Sequence, residues 1–160
     1  MKLHGLNIPV KARDGEPPVA TGSCLCGAVQ YSVHTPLDKN VRPCHCTQCR
    51  KQSGHHAAYV QVERWDGVHI DGEDNVTWYH ASDVAKRGFC KTCGSQLFWV
   101  PDPDITGRAT GDVTGGTLDT PTGVKFSAHI FVADKGDYYD IADGLPQHAE
   151  YQDRTYTKES

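Results

Sequence analysis

Three thiols fall within six residues at Cys44-His45-Cys46-Thr47-Gln48-Cys49, a density that suits a metal ion better than ordinary core packing. Along an extended backbone successive side chains point to opposite faces, so Cys44 and Cys46 project together while His45 points away as a packing group. A turn after Cys46 then carries Cys49 round to the same ion. Three thiolates on a tetrahedral metal leave one corner vacant, and a vacant corner separates a catalytic zinc from a structural one.

Two further pairs complete the pattern. Cys24-Leu25-Cys26 runs into Gly27, and Cys90-Lys91-Thr92-Cys93 runs into Gly94. The second has the spacing of a zinc knuckle, in which a tight turn aims backbone N–H groups at the sulfurs and glycine accepts the positive φ. The seven cysteines therefore form CxC, 17 residues, CxCxxC, 40 residues, CxxC, with none left over. Four plus three suggests one closed site and one open one. Spacing alone leaves two partitions: Cys24, Cys26, Cys90 and Cys93 closed with Cys44, Cys46 and Cys49 open, or Cys24 and Cys26 paired with Cys46 and Cys49, which isolates Cys44. The first uses every ligand and is the expected one. Three ligands hold a metal less securely than four, so the second zinc is expected to be the more easily lost.

These clusters need short rigid elements to hold them, and the composition supplies those. A chain of 160 residues suits one domain, and 16 glycines with 9 prolines predict many turns and little helix. Residues 1–21, with Pro9, Pro17 and Pro18, read as a surface arm; 22–148 as a single zinc domain; 149–160 as a polar tail. Period-two alternation predicts strands at 28–33, 57–62, 68–70, 76–79, 96–100 and 128–132, with Trp78, Tyr79, Phe98 and Trp99 as core side chains. Residues 50–56 are polar and glycine-broken and read as a loop or short helical turn. Residues 101–123 read as long loops with one strand near 108–110, and Asp143-Gly144-Leu145-Pro146 as a closing turn.

Function classes are excluded on the same grounds. The net charge is −4 with no block of basic residues, which argues against nucleic-acid binding. No apolar run approaches a membrane span, and the first ten residues lack a signal-peptide hydrophobic region. Seven cysteines in such a chain point to metal or redox chemistry in a reducing, cytoplasmic compartment.

Three stretches, Gly22-Ser23-Cys24-Leu25-Cys26-Gly27-Ala28-Val29, Cys44 through Gly54, and Phe89-Cys90-Lys91-Thr92-Cys93-Gly94-Ser95-Gln96-Leu97-Phe98, followed by His129-Ile130-Phe131-Val132 and Asp143-Gly144-Leu145-Pro146, resemble the glutathione-dependent formaldehyde-activating enzyme (GFA) family, also called the centromere-protein-V domain. The resemblance covers about residues 22–146. It implies an all-β fold, a β-tent of small antiparallel sheets with zinc-knuckle elements, and two zinc ions. The structural zinc would fall to Cys24, Cys26, Cys90 and Cys93, and the catalytic zinc to Cys44, Cys46 and Cys49. The implied activity is that of a carbon–sulfur lyase, the reversible formation of S-hydroxymethylglutathione from glutathione and formaldehyde. The partners implied are a small-molecule thiol and an aldehyde or other electrophile, with no nucleic acid and no membrane.

Four residues beside the open site are candidates for substrate work. His55 and His56 would shuttle protons or touch substrate; the alternative is that they are ordinary loop histidines. Arg50 and Lys51 would bind a glutathione carboxylate; the alternative is solvated charge. For the whole chain the competing readings are a non-catalytic zinc module for protein contacts, or a thiol redox sensor built on Cys44, Cys46 and Cys49.

Overall fold

The computed structural model describes residues 16–151. It is built of short strands: β1 (Ala20–Ser23), β2 (Gln30–Val33), β3 (Asn40–Val41), β4 (Tyr59–Val62), β5 (Val68–Asp71), β6 (Val76–Ser82), β7 (Ala85–Cys90), β8 (Gln96–Pro101), β9 (Gly111–Thr114) and β10 (Lys125–Phe126). Two short helices interrupt them, α1 (Thr47–Ser53) and α2 (Pro103–Thr106). The fold is all-β. β1 begins inside the segment read as an arm; residues 1–15 of that arm and 152–160 of the tail lie outside the described residues. No helix among the described residues is long and apolar enough to cross a membrane.

The main sheet is antiparallel in the order β4-β9-β8-β7-β6, and a three-stranded antiparallel sheet, β1-β2-β5, accompanies it. A small parallel pair joins β10 to β3. Register divides the main sheet into two faces. One cross-strand row is Trp78, Gly88, Phe98, Val113 and Val60. Phe98, Val113 and Val60 in it are fully buried, in one core with Tyr31 and Val33 of β2. Tyr31 meets Phe98 edge-to-face with ring centroids 5.3 Å apart, and Trp65 meets Phe98 at 5.4 Å. Burying each such large side chain contributes roughly 1.5–3 kcal/mol. Gly88 is needed where these rings converge, because a Cβ there would lie 2.9 Å from both Phe98 and Trp78.

The adjacent row is Tyr79, Arg87, Trp99, Asp112 and Gln61. Side chains alternate along a strand, so this row projects from the opposite face of the sheet. Its polar members explain where the strand pattern misled. β7 carries Lys86, Arg87 and Gly88 in its middle and shows no apolar alternation, so its strand goes unread. β9 lies at Gly111–Thr114 rather than near 108–110. Tyr79 is 59% exposed and is not a core residue, because its face of β6 is uncovered there. Trp99 is half-buried and belongs to the polar face rather than to the core.

The expected strand at 128–132 is also absent. That segment stays extended only to Ile130, making isolated bridges through Ile130 to Cys44 and through His129 to Gln147. At Phe131 the backbone turns left-handed with φ 57°, and one turn of 3₁₀ helix follows over Val132–Asp134.

Candidate metal centre

Cys44 is held by backbone on two sides. Its N–H donates to the Ala57 carbonyl at 2.9 Å, and its own carbonyl accepts from Ala57 N–H at 3.0 Å. Across the other edge His45 N–H donates to the Ile130 carbonyl at 3.0 Å. The chain stays extended to Cys46, whose ψ of 156° makes it the N-cap of α1. Cys49 sits in the first turn and its N–H donates to Cys46 Sγ at 3.4 Å. The helix therefore starts before Cys49 rather than after it, because the Cys46 sulfur satisfies an otherwise orphaned N–H of the first turn.

Two groups of sulfurs converge. Those of Cys24, Cys26, Cys90 and Cys93 lie within 4.8 Å of one another, as do those of Cys44, Cys46 and Cys49. The grouping is the first of the two partitions left open by spacing. In the larger group Cys24 and Cys26 sulfurs are 3.5 Å apart and Cys26 and Cys90 sulfurs 3.8 Å. Metal–sulfur bonds of about 2.3 Å in a tetrahedron put sulfurs about 3.8 Å apart, so this donor set fits a metal. The seven thiols are free. The knuckle turns at Gly27 and Gly94 have φ of 77° and 76°. The Leu25 N–H donates to Ser95 Oγ at 3.0 Å, tying one knuckle to the other across the two sheets.

The smaller group also fits a cation. Hydrogen bonds from Cys44 and Cys49 hold the Cys46 thiol far below its ordinary value, while hydrogen bonding to Cys46 and Cys49, aided by burial, pushes Cys44 up. Three thiolates this close cannot all be ionised without a positive charge among them. One fixed cation is already at hand. Arg87, 3% exposed, donates from Nη1 to Tyr59 Oη at 2.9 Å and from Nη2 to Gln48 Oε1 at 3.4 Å, with Cys49 Sγ 3.9 Å from Nη2.

These residues form part of the wall of a cavity of about 360 Å³, large enough for a small-molecule ligand. Cys44, Cys46 and Cys49 line it, together with Tyr59, Gln61, Arg87, Trp99 and Asp112 of the sheet's polar face. Arg42, Arg108 and Tyr151 also line it, with the Arg42 guanidinium 5.7 Å from the centre of the Tyr151 ring. The four-cysteine group does not line it. Burial pushes the Tyr59 phenol well above its ordinary value, so it keeps its proton. Burial also pushes the Asp112 carboxyl up to about 7, against the opposing pull of Arg108 and with help from Asp38.

His45 projects to the other side, as alternation requires, and is fully buried. Burial and the neighbouring imidazoles of His56 and His129 push it down to about 4, so the ring is neutral. A neutral ring has one donor and one acceptor. His129 Nε2 donates to Asp143 Oδ2 at 2.8 Å, so the chain that satisfies every atom runs from Tyr139 O–H to His45 Nδ1 and from His45 Nε2–H to His129 Nδ1 at 2.9 Å. This relay clamps residue 45 and so aims its two cysteine neighbours. Asp143 also accepts from Leu145 N–H at 3.1 Å, fixing the closing turn.

The other sequence candidates lie elsewhere. His56 packs on His45 with ring centroids 5.0 Å apart, and His55 pairs with Tyr138 Oη at 2.7 Å. Both belong to this aromatic group rather than to the cavity lining. Arg50 Nε donates to the Asp134 carbonyl at 2.9 Å and Lys51 is exposed; neither lines the cavity. Among the described residues the cations that line the cavity are Arg42, Arg87 and Arg108. The readable signal for Arg87 was its distance from Cys90, an odd number of residues along one strand. That for Asp112 was its alternation with Val113 in a β-branched run.

Comparison with known proteins gives a consistent result. The family described as glutathione-dependent formaldehyde-activating enzyme matches residues 19–134. An uncharacterized lyase of Schizosaccharomyces pombe is 26% identical over 125 residues, 78% of this chain and 87% of the relative. A protein of Halomonas elongata provisionally named glutathione-dependent formaldehyde-activating enzyme is 33% identical over 88 residues, 51% of this chain and 55% of that protein.

Proposed function

The chain belongs to the glutathione-dependent formaldehyde-activating enzyme family, and from that premise we propose that it is a zinc-dependent carbon–sulfur lyase joining glutathione to formaldehyde, with residues 22–148 as its working domain in a reducing, cytoplasmic compartment. One observation carries the reading: of the two sulfur groups, only that of Cys44, Cys46 and Cys49 opens on the cavity. Cys24, Cys26, Cys90 and Cys93 would hold a structural zinc, and the three cavity cysteines a catalytic one. Bound there, zinc would lower the pKa of a thiol presented to its fourth corner and keep that thiol nucleophilic at neutral pH.

The remaining work belongs to the chain. The sulfur of glutathione attacks the formaldehyde carbon, a C–S bond forms, the C=O π bond breaks, and the thiol proton ends on the new hydroxyl oxygen. Arg87 offsets the negative charge concentrated on the sulfurs. Tyr59 Oη accepts hydrogen bonds from Arg87 Nη1 and Gln96 Nε2, which leaves its own O–H to donate to the aldehyde oxygen as charge develops there. Trp99 and Phe131 contribute aromatic surface to the wall. His45, through His129 and Asp143, holds the ligand segment in place.

Magnetisation-exchange NMR of glutathione with formaldehyde tests the proposal. The zinc-replete protein should accelerate exchange beyond the spontaneous rate. Exchange at the spontaneous rate would contradict it.

A further inference from the structure

Among the described residues the cavity wall carries one carboxylate, Asp112, and three guanidinium groups. Arg87 is committed to Cys49, Gln48 and Tyr59. Arg42 and Arg108 line the cavity with Asp112, so the wall there presents two guanidinium groups and one carboxyl group. A γ-glutamyl peptide thiol has the inverse set, two carboxylates and one ammonium.

Asp112 is placed where a ligand would meet it. It stands in the polar row between Gln61 of β4 and Trp99 of β8, and all three line the cavity. Aspartate is disfavoured within a strand. Among the described residues no donor hydrogen-bonds its carboxylate, and Arg108 acts on it only through space. A desolvated carboxylate without a donor is costly, and a positively charged donor brought by a ligand would relieve that cost.

We propose that Asp112 receives the ammonium group of the thiol substrate, so that the cavity selects thiols carrying a primary amine over those without one. This rests on the reading of the site as a thiol-binding one. It assigns the amine end of the ligand to β9 and leaves its carboxylates to Arg42 and Arg108.

The test is calorimetric titration of the zinc-replete full chain with S-methylglutathione, whose blocked sulfur removes the chemistry, and with its N-acetyl derivative. Wild type should bind the free amine at least about tenfold more tightly than the acetylated form, as a charge-assisted hydrogen bond implies. Asp112→Asn should lose that preference and Asp112→Glu should keep most of it. Equal binding of the two ligands by wild type, which needs no variant to fold, overturns the inference, as does an Asp112→Asn protein that retains the full preference. Turnover of glutathione with formaldehyde on the same samples separates the two readings. Turnover without amine preference overturns only the Asp112 assignment, whereas neither turnover nor binding overturns the proposed function and this inference with it.

Discussion

Arg87 brings a permanent positive charge to within 3.9 Å of a thiol that metal binding requires to be ionised. Groups of this kind around a metal site set ligand charge and orientation, and losing one lowers metal affinity about 10–100-fold. Arg87→Met keeps the packing of the stem and removes the guanidinium, so chelator competition should show that loss at the three-cysteine site. Wild-type affinity would show that the guanidinium does not act on the ligands. Asp112 gives a second prediction, of opposite sign for stability. Burial raises its carboxyl from the ordinary 3.8 to about 7. Below the lower value both folded and unfolded chains hold the proton and nothing is lost; as pH rises towards 7 the unfolded chain ionises freely and the folded one cannot. Asp112→Asn should therefore stabilise the ligand-free protein most above pH 7, with the gain shrinking steadily as pH falls to 5, measured by urea unfolding. A gain independent of pH would contradict the assignment. Cysteines announce themselves by type and spacing, and their grouping was legible from ligand counting. Arg87 and Asp112 were not, because the face each occupies follows from its spacing to Cys90 or Val113 only once β7 and β9 are known to be strands.

At the scale of elements, strands with apolar alternation could be read directly: β2, β4, β5, β6 and β8 all coincide with expected segments. β7 could not, because one of its faces is given over to Arg87 and the other to a glycine beneath aromatic rings. That glycine supports a prediction. Gly88→Ala places a methyl against Phe98 and Trp78, and overpacking of this kind costs about 1–3 kcal/mol. Denaturant unfolding should register the loss, and an unchanged midpoint would mean that the rings move aside freely. The segment over 128–132 misled for another reason. Its side chains alternate, but it runs along the cysteine segment through single bridges and then turns at Phe131. Periodicity reports burial on one side and says nothing about whether a partner strand continues the ladder.

Across the whole molecule, the two sulfur groups divide labour by position. The four-cysteine group joins the turn after β1 to the hairpin between β7 and β8, and so links the two sheets. The three-cysteine group lies on the far face of the main sheet, walling the cavity. The structural zinc proposed for the four-cysteine group would contribute folding free energy directly, so Cys90→Ser should unfold the domain, and circular dichroism would record the collapse; a native spectrum would contradict that role. Cys46→Ser should leave the fold intact. The most direct test of the whole account is exchange NMR of glutathione with formaldehyde on folded Cys46→Ser protein whose zinc has been counted. The account predicts one zinc in place of two and exchange at the spontaneous rate. Wild-type exchange from the folded, one-zinc variant would contradict it.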